Sequence, residues 1–249
     1  MAAKSQRVDE HDRVYNDRLR LIADRLQQEY RTPAWRRHGD PLDELVSTVL
    51  SQHTSDINTA RAFASLRAKL PAWDEVVSAP VETVATAIRT GGLANVKAPR
   101  IQAILRRIDA ERGTFDLDDL AAMDVAGARR WLTALPGVGP KTASCVLLFS
   151  LGKAAFPVDT HVHRVTRRLG LTPPEATPES VQAAIERELG DDRDALYRLH
   201  LNLIRHGREV CRARHPRCEA CILSDWCETY GRGREATAGG TTRPSETPA

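Results

Sequence analysis

From about residue 16 to residue 230 the apolar side chains return at three- and four-residue spacing, and nowhere do they alternate with polar ones over a useful length. The first pattern makes one stripe along a helix; a half-buried strand needs a period of two. The chain is therefore expected to be all-α, with about ten short helices and no sheet. Leu42, Leu45, Val46, Val49 and Leu50 share one face, and Ile57, Ala60, Phe63 and Ala64 share another with the Leu66–Leu70 end of their segment. Further helical stretches are read at about 81–89, 98–112, 127–134, 141–151, 161–169, 178–189 and 194–207. Thr32-Pro33, Ala79-Pro80, Thr172-Pro173-Pro174 and Thr177-Pro178 mark short loops. A chain of 249 residues is one large domain or two small ones. Its 41% apolar and 28% charged residues suffice for a packed core. Residues 1–15 and the Gly/Thr/Pro/Ser stretch 231–249 lack apolar periodicity and are expected to be disordered. No internal repeat is found.

The longest unbroken apolar run, Cys145–Phe149, is too short to span a membrane, and the charged N-terminus does not read as a signal peptide. With five cysteines and no export signal the expected place is the cytosol, where a disulfide framework is not favoured. Net charge is only +3, but just five of the 36 basic residues are lysines: Lys4, Lys69, Lys97, Lys141 and Lys153. Coding bias explains the arginine excess most simply, and it makes each lysine worth examining.

Three segments carry chemistry. In Leu135-Pro136-Gly137-Val138-Gly139-Pro140-Lys141-Thr142 a helix ends, two glycines turn the chain, and a new helix starts at Pro140. The glycines permit close backbone approach, the helix start offers free N–H groups to an anion, and Val138 plugs the turn into the core. This is the logic of a helix-hairpin-helix gripping a nucleic-acid phosphate, although an ordinary αα-hairpin also places glycine in such a turn. Lys141 lies in the first turn of the new helix, where the dipole opposes a cation by roughly 0.3–1 kcal/mol and favours its neutral amine.

Asp159, in Phe156-Pro157-Val158-Asp159-Thr160-His161-Val162, precedes a helix whose Val162, Val165, Thr166 and Leu169 share a face. An N-cap is its simplest role; a carboxylate stabilising positive charge is compatible with it. Cys211, Cys218, Cys221 and Cys227 fall within 17 residues, which in a reducing compartment signals zinc or an iron–sulfur cluster. A single CxxC pair flanked by wider steps favours the cluster. Arg205, Arg208, Arg212, Arg214 and Arg217 surround it and suit a phosphate backbone. Cys145 lies apart in an apolar helix and reads as core.

LPGVGPKTAS at 135–144, FPVDTHVHRVTRRLGL at 156–171 and HGREVCRARHPRCEACILSDWC at 206–227 together resemble the endonuclease III family of DNA base-excision repair, with looser matches at 92–98 and 50–56. The resemblance runs from roughly 30 to 230 and includes the spacing of that family's 4Fe-4S cysteines. It implies two helical lobes flanking a DNA-binding cleft. One is a six-helix barrel with the helix-hairpin-helix, from 41–153; the other joins 16–40 to 154–230 and carries the catalytic Asp and the cluster. It further implies Lys141 as nucleophile and Asp159 as catalytic carboxylate, with His161 placed to hold the following helix.

The implied enzyme is a monomeric, nucleoid-associated glycosylase and AP lyase. It would remove oxidised pyrimidines from double-stranded DNA and cut the resulting abasic site by β-elimination, after flipping the damaged base out of the stack. One stretch departs from the family. Where the family shows Ser-Ala-Gln, whose glutamine fills the gap left by the flipped base, this chain reads Ser51-Gln52-His53. Counting without a gap puts His53 at that position, beside a Gln52 like that of adenine-removing relatives, and Leu93 at the second gap-filling position. A different base choice, or a non-catalytic helix-hairpin-helix DNA-binding protein, are the competing readings; binding alone would require neither Lys141 nor Asp159.

Overall fold

The computed structural model describes residues 17–231. Of the ends expected to be disordered, 1–15 and 232–249 lie outside the described residues, while Gly231 closes a short helical turn with its N–H on the Cys227 carbonyl. Among the described residues there are helices and no strand. They are α1 (17–30), α2 (Pro41–Leu50), α3 (Asp56–Lys69), α4 (Trp73–Ser78), α5 (Val81–Ala87), α6 (Ala94–Arg112), α7 (Val125–Thr133), α8 (Pro140–Cys145), α9 (Thr160–Leu169), α10 (Pro178–Leu189) and α11 (Arg193–Glu209). Short 3-10 turns stand between several of them, among them Arg89–Gly91.

The chain divides into two compact units. One comprises Ala34–Pro157 and Gly190–Tyr197; the other comprises the described residues up to Pro33, Val158–Leu189 and those from Arg198 onward. The sequence-based division at 40/41 and 153/154 thus moves to 33/34 and 157/158, for identifiable reasons. The Trp35 indole donates to the Leu148 carbonyl at 2.6 Å, and the His38 N–H donates to the Phe149 carbonyl at 3.0 Å. Those carbonyls are released because α8 continues into a π-helical turn, Val146–Ser150, in place of the regular helix expected to 151. Asp194 accepts from the Trp35 backbone N–H at 2.7 Å, and Tyr197 meets the stacked His38 and Phe149 rings edge-on, which brings 190–197 into the same unit.

This unit's core gathers Leu42, Leu45, Val46, Val49 and Leu50 of α2 with Ile101, Ile104, Leu105 and Ile108 of α6 and Leu132, Val138, Ala143, Val146 and Leu147 around the hairpin. The face expected for α3 needs correction. Ile57 is 65% exposed, Ala60 and Ala64 are also exposed, and the buried positions are Thr59, Ala62 and Leu66. Thr59 tolerates burial because its hydroxyl donates to the Ser55 carbonyl. α4 has no counterpart among the expected helices; it is a single stretch of six residues between Pro71 and Pro80, too short for periodicity to reveal.

Candidate active site and metal centre

The hairpin follows from local chemistry. Asp124 caps α7 by accepting from Gly127 N–H, and the chain turns after Thr133. Gly137 takes φ 71°, a left-handed conformation that favours glycine, and the stem of Arg100 lies so close that a Cβ there would come within 2.8 Å of it. Val138 is 5% exposed and belongs to the core, as the sequence suggests. α8 starts with Pro140 at its first position and Gly139 as its N-cap, and Gly139 brings no side chain to the first-turn N–H groups. Lys141, second in the helix, is half-buried.

Glu44 of α2 is an acid that sequence reasoning missed, since it reads as an ordinary first-turn carboxylate. Burial pushes its carboxyl up from the usual range, against the opposing pull of the Thr48 hydroxyl, which donates at 3.2 Å, and of the Lys141 charge.

Two loops of the same unit hold the candidate gap-filling residues. His53 is exposed with φ 55°, and Leu93 is 54% exposed with φ 50°. Left-handed backbone is uncommon for such side chains and costs of the order of 1–3 kcal/mol, which the surroundings must offset. Gln52 is turned to the protein instead: its Oε1 accepts from Arg100 Nη1 at 2.9 Å. Arg100 thus joins this loop to the hairpin glycine it packs on. One turn earlier in α6, the buried Lys97 ammonium donates to the Leu50 and Gly91 carbonyls at 2.6 and 2.8 Å. Only lysine scarcity hinted at Lys97 in the sequence.

In the other unit Asp159 caps α9. Its Oδ1 accepts from Val162 N–H at 2.7 Å, and its backbone carbonyl accepts from His163 N–H. Val162, Val165, Thr166 and Leu169 are buried, as expected. His161 Nδ1 lies 3.1 Å from Arg164 Nη2, and Arg164 donates onward to the Gly207 and Cys211 carbonyls at 2.9 and 3.1 Å. A Cβ at Gly207 would sit 3.0 Å from that of His161, so α11 and α9 pack closely at this glycine.

Cys211, Cys218, Cys221 and Cys227 line one cavity of about 110 Å³ together with Val165, Leu169 and Arg168. Among the described residues no three His, Cys, Asp or Glu side chains are grouped to hold a single metal ion. Burial pushes the Cys221 thiol up to about 11, with the sulfurs of Cys211, Cys227 and Cys218 adding to the rise. Held together as thiolates, four such sulfurs would be balanced by a positive metal core between them. Donors already surround them: Arg168 Nη1 at 3.4 Å from Cys211 Sγ and Leu223 N–H at 3.4 Å from Cys221 Sγ. The set fits an iron–sulfur cluster. The nearby arginines Arg205, Arg208, Arg212, Arg214 and Arg217 are all exposed, and Arg205 pairs with Glu209 at 3.0 Å and stacks 4.8 Å over the Tyr30 ring. Cys145 is buried at 3% exposure, a core residue.

Comparison with known proteins agrees with this geometry. Residues 46–190 match the family model for the HhH-GPD superfamily base excision DNA repair protein, and residues 211–227 match the iron–sulfur binding domain of endonuclease III. A putative DNA glycosylase of Arabidopsis thaliana is 42% identical over 170 residues, which cover 68% of this chain and 57% of that protein. Endonuclease III of Thermotoga maritima is 36% identical over 202 residues, covering 81% and 89%. The solved structure of a non-covalent endonuclease III–DNA complex superposes with a TM-score of 0.76 at 26% identity, covering 88% of this chain and 98% of that one.

Proposed function

The chain belongs to the endonuclease III family, within the helix-hairpin-helix superfamily of base-excision DNA repair proteins, and on that footing we propose that it is a glycosylase and AP lyase for oxidised pyrimidines in duplex DNA, with Lys141 as nucleophile and Asp159 as the catalytic carboxylate. The observation that carries the reading is Lys141 itself: a half-buried lysine at the second position of a helix that starts on a glycine N-cap, directly after the Gly137-Val138-Gly139 turn.

The chemistry follows from the residue types. The Lys141 amine attacks C1′ of the damaged nucleotide as the C1′–N bond to the base breaks; the base leaves with that electron pair and takes up a proton. Asp159 stabilises the positive charge that the sugar develops while this bond is mostly broken. The lysine nitrogen then loses a proton, the sugar ring opens, and an imine forms. Its electron-withdrawing carbon makes the 2′ hydrogen acidic, so removal of that proton expels the 3′ phosphate and cuts the strand. The Gly137 and Gly139 backbone N–H groups, with Arg208, Arg212, Arg214 and Arg217, hold phosphates. His53 and Leu93 occupy the space vacated by the flipped base, and His53 sets the preference for the opposite base. An iron–sulfur cluster on Cys211, Cys218, Cys221 and Cys227, when bound, supplies the fixed centre around which residues 211–227 fold. The enzyme works on damaged or abasic duplex DNA as a monomer in the nucleoid.

Borohydride trapping tests the assignment. Wild-type protein should form a covalent adduct with abasic duplex. Lys141→Gln should form none while still binding that duplex, and Lys141→Arg should also fail, because a guanidinium stays protonated. Trapping by Lys141→Gln would mean that another amine is the nucleophile.

A further inference from the structure

Lys97 is 2% exposed, and no step of base removal or strand cleavage uses it. It lies at the start of α6, where the helix dipole opposes a cation. Its partners explain the position. Nζ donates to the Leu50 carbonyl at 2.6 Å and to the Gly91 carbonyl at 2.8 Å, and its own backbone N–H donates to the Leu93 carbonyl at 2.9 Å. Leu50 ends α2, and Gly91 ends the 3-10 turn. Both carbonyls therefore point out of helix ends, where they carry partial negative charge and need a donor. Gly91 has to be small here. A Cβ on it would lie 3.1 Å from the Ala62 Cβ, tight enough to shift Gly91, and its carbonyl with it, by a few tenths of an ångström, while the Leu50 carbonyl oxygen at 3.9 Å would stay in ordinary contact.

The two loops that leave these carbonyls each carry a non-glycine residue in left-handed backbone, as Arg31 and His215 do elsewhere. His53 follows Leu50 by three residues, and Leu93, the N-cap of α6, follows Gly91 by two; both stand in left-handed conformation with exposed side chains. Strain of that kind persists only where neighbouring structure over-determines it. We infer that Lys97 is a positioning residue that fixes the separation of His53 and Leu93 by tying together the bases of their two loops. The inference rests on the reading of those two side chains as gap-filling residues. It predicts that Lys97 governs the part of the reaction that needs assisted base flipping, more than the part that starts from an abasic site.

The experiment compares two rates on matched duplexes, one carrying thymine glycol and one a preformed abasic site, for variants whose helical circular dichroism equals wild type. His53→Ala and Leu93→Ala together should lower the ratio of lesion excision to abasic cleavage. Lys97→Met should lower it tenfold or more, and Gly91→Ala, which disturbs one acceptor without touching the lysine, should lower it in the same direction should Lys97→Met not fold. With His53 and Leu93 both already alanine, the Lys97 or Gly91 substitution should change the ratio by less than twofold, because nothing remains to be positioned. An equal loss on both substrates, or a full further loss in the double-alanine background, would overturn the role of Lys97 while leaving the gap-filling reading intact. An unchanged ratio in the double-alanine protein would overturn the gap-filling reading and the inference with it.

Discussion

Asp159 caps α9 and is proposed to act in catalysis, and one substitution can separate the two. As an N-cap its Oδ1 accepts from Val162 N–H at 2.7 Å. Asp159→Ala removes that bond and should cost about 0.5–2 kcal/mol of stability. Asp159→Asn keeps an acceptor oxygen in place and loses only the attraction between a negative charge and the helix N-terminus, about 0.3–1 kcal/mol. For a chain of this size each kilocalorie moves the melting temperature by about 2–4 °C, so the asparagine variant should melt within a few degrees of wild type. The catalytic loss should be far larger. A half-buried carboxylate at about 4 Å from a developing unit charge, with an effective dielectric of about 20, contributes about 4 kcal/mol. That is about three decades in rate. Single-turnover excision of an oxidised pyrimidine should therefore fall about a thousandfold in Asp159→Asn while thermal melting barely changes. If the rate instead fell only in proportion to the unfolded fraction, Asp159 would be a cap and nothing more, and the catalytic assignment would fail.

Purified protein should be brown, absorb near 400 nm and contain about four irons per chain, and replacing any of the four clustered cysteines by serine should lower that count; colourless protein with one zinc and full activity would refute the cluster. Glu44 holds its proton to higher pH folded than unfolded, so folding takes up a proton and stability falls as pH rises past the usual carboxylate range; Glu44→Gln should flatten that decline in a pH series of denaturant melts. The same variant removes the negative charge that favours the ammonium form of Lys141, so the half-maximal pH for borohydride trapping should move down. Duplex affinity should drop steeply with salt; Arg212→Ala, Arg214→Ala or Arg217→Ala should each lower the log–log slope by about one unit, and Arg205→Ala by less, because Glu209 and Tyr30 already hold Arg205.

The helical class and the chemistry-bearing motifs were legible because each rests on short-range pattern. The stripe Val162, Val165, Thr166 and Leu169 is buried as read, Val138 plugs the hairpin, and one cavity collects the four cysteines. What could not be read depends on partners far away in sequence. α3 turns Ile57 outward because Ala62 must face Gly91, a contact no local period encodes. The unit boundary moves to 33/34 because Trp35 and His38 reach carbonyls that a π turn releases more than a hundred residues later. Glu44 and Lys97 escaped for the same reason. A first-turn acid and a lysine near a helix start are unremarkable until the neighbours that desolvate them are known.

α9 shows how the cysteine loop and the candidate carboxylate depend on each other within one unit. The helix starts at the Asp159 cap, and two arginines on it grip the chain around the cysteines. Arg164 donates to the Gly207 and Cys211 carbonyls, and Arg168 donates to those of Arg212 and Ala213 at 2.6 and 3.1 Å. The Arg168 carbonyl accepts in turn from the Thr229 hydroxyl at 3.0 Å, just past the last cysteine. Residues 211–227 contain only short 3-10 turns and bury one side chain, Leu223, so their own packing gives these carbonyls little support. Whatever joins the four sulfurs adds to that support. Losing that centre should release the arginines' acceptors and loosen α9 from the side opposite its cap. The fold around Asp159 should then soften before the hairpin around Lys141 does, and hydrogen exchange should show it as faster exchange at Val162 and His163 with Ala143 unchanged.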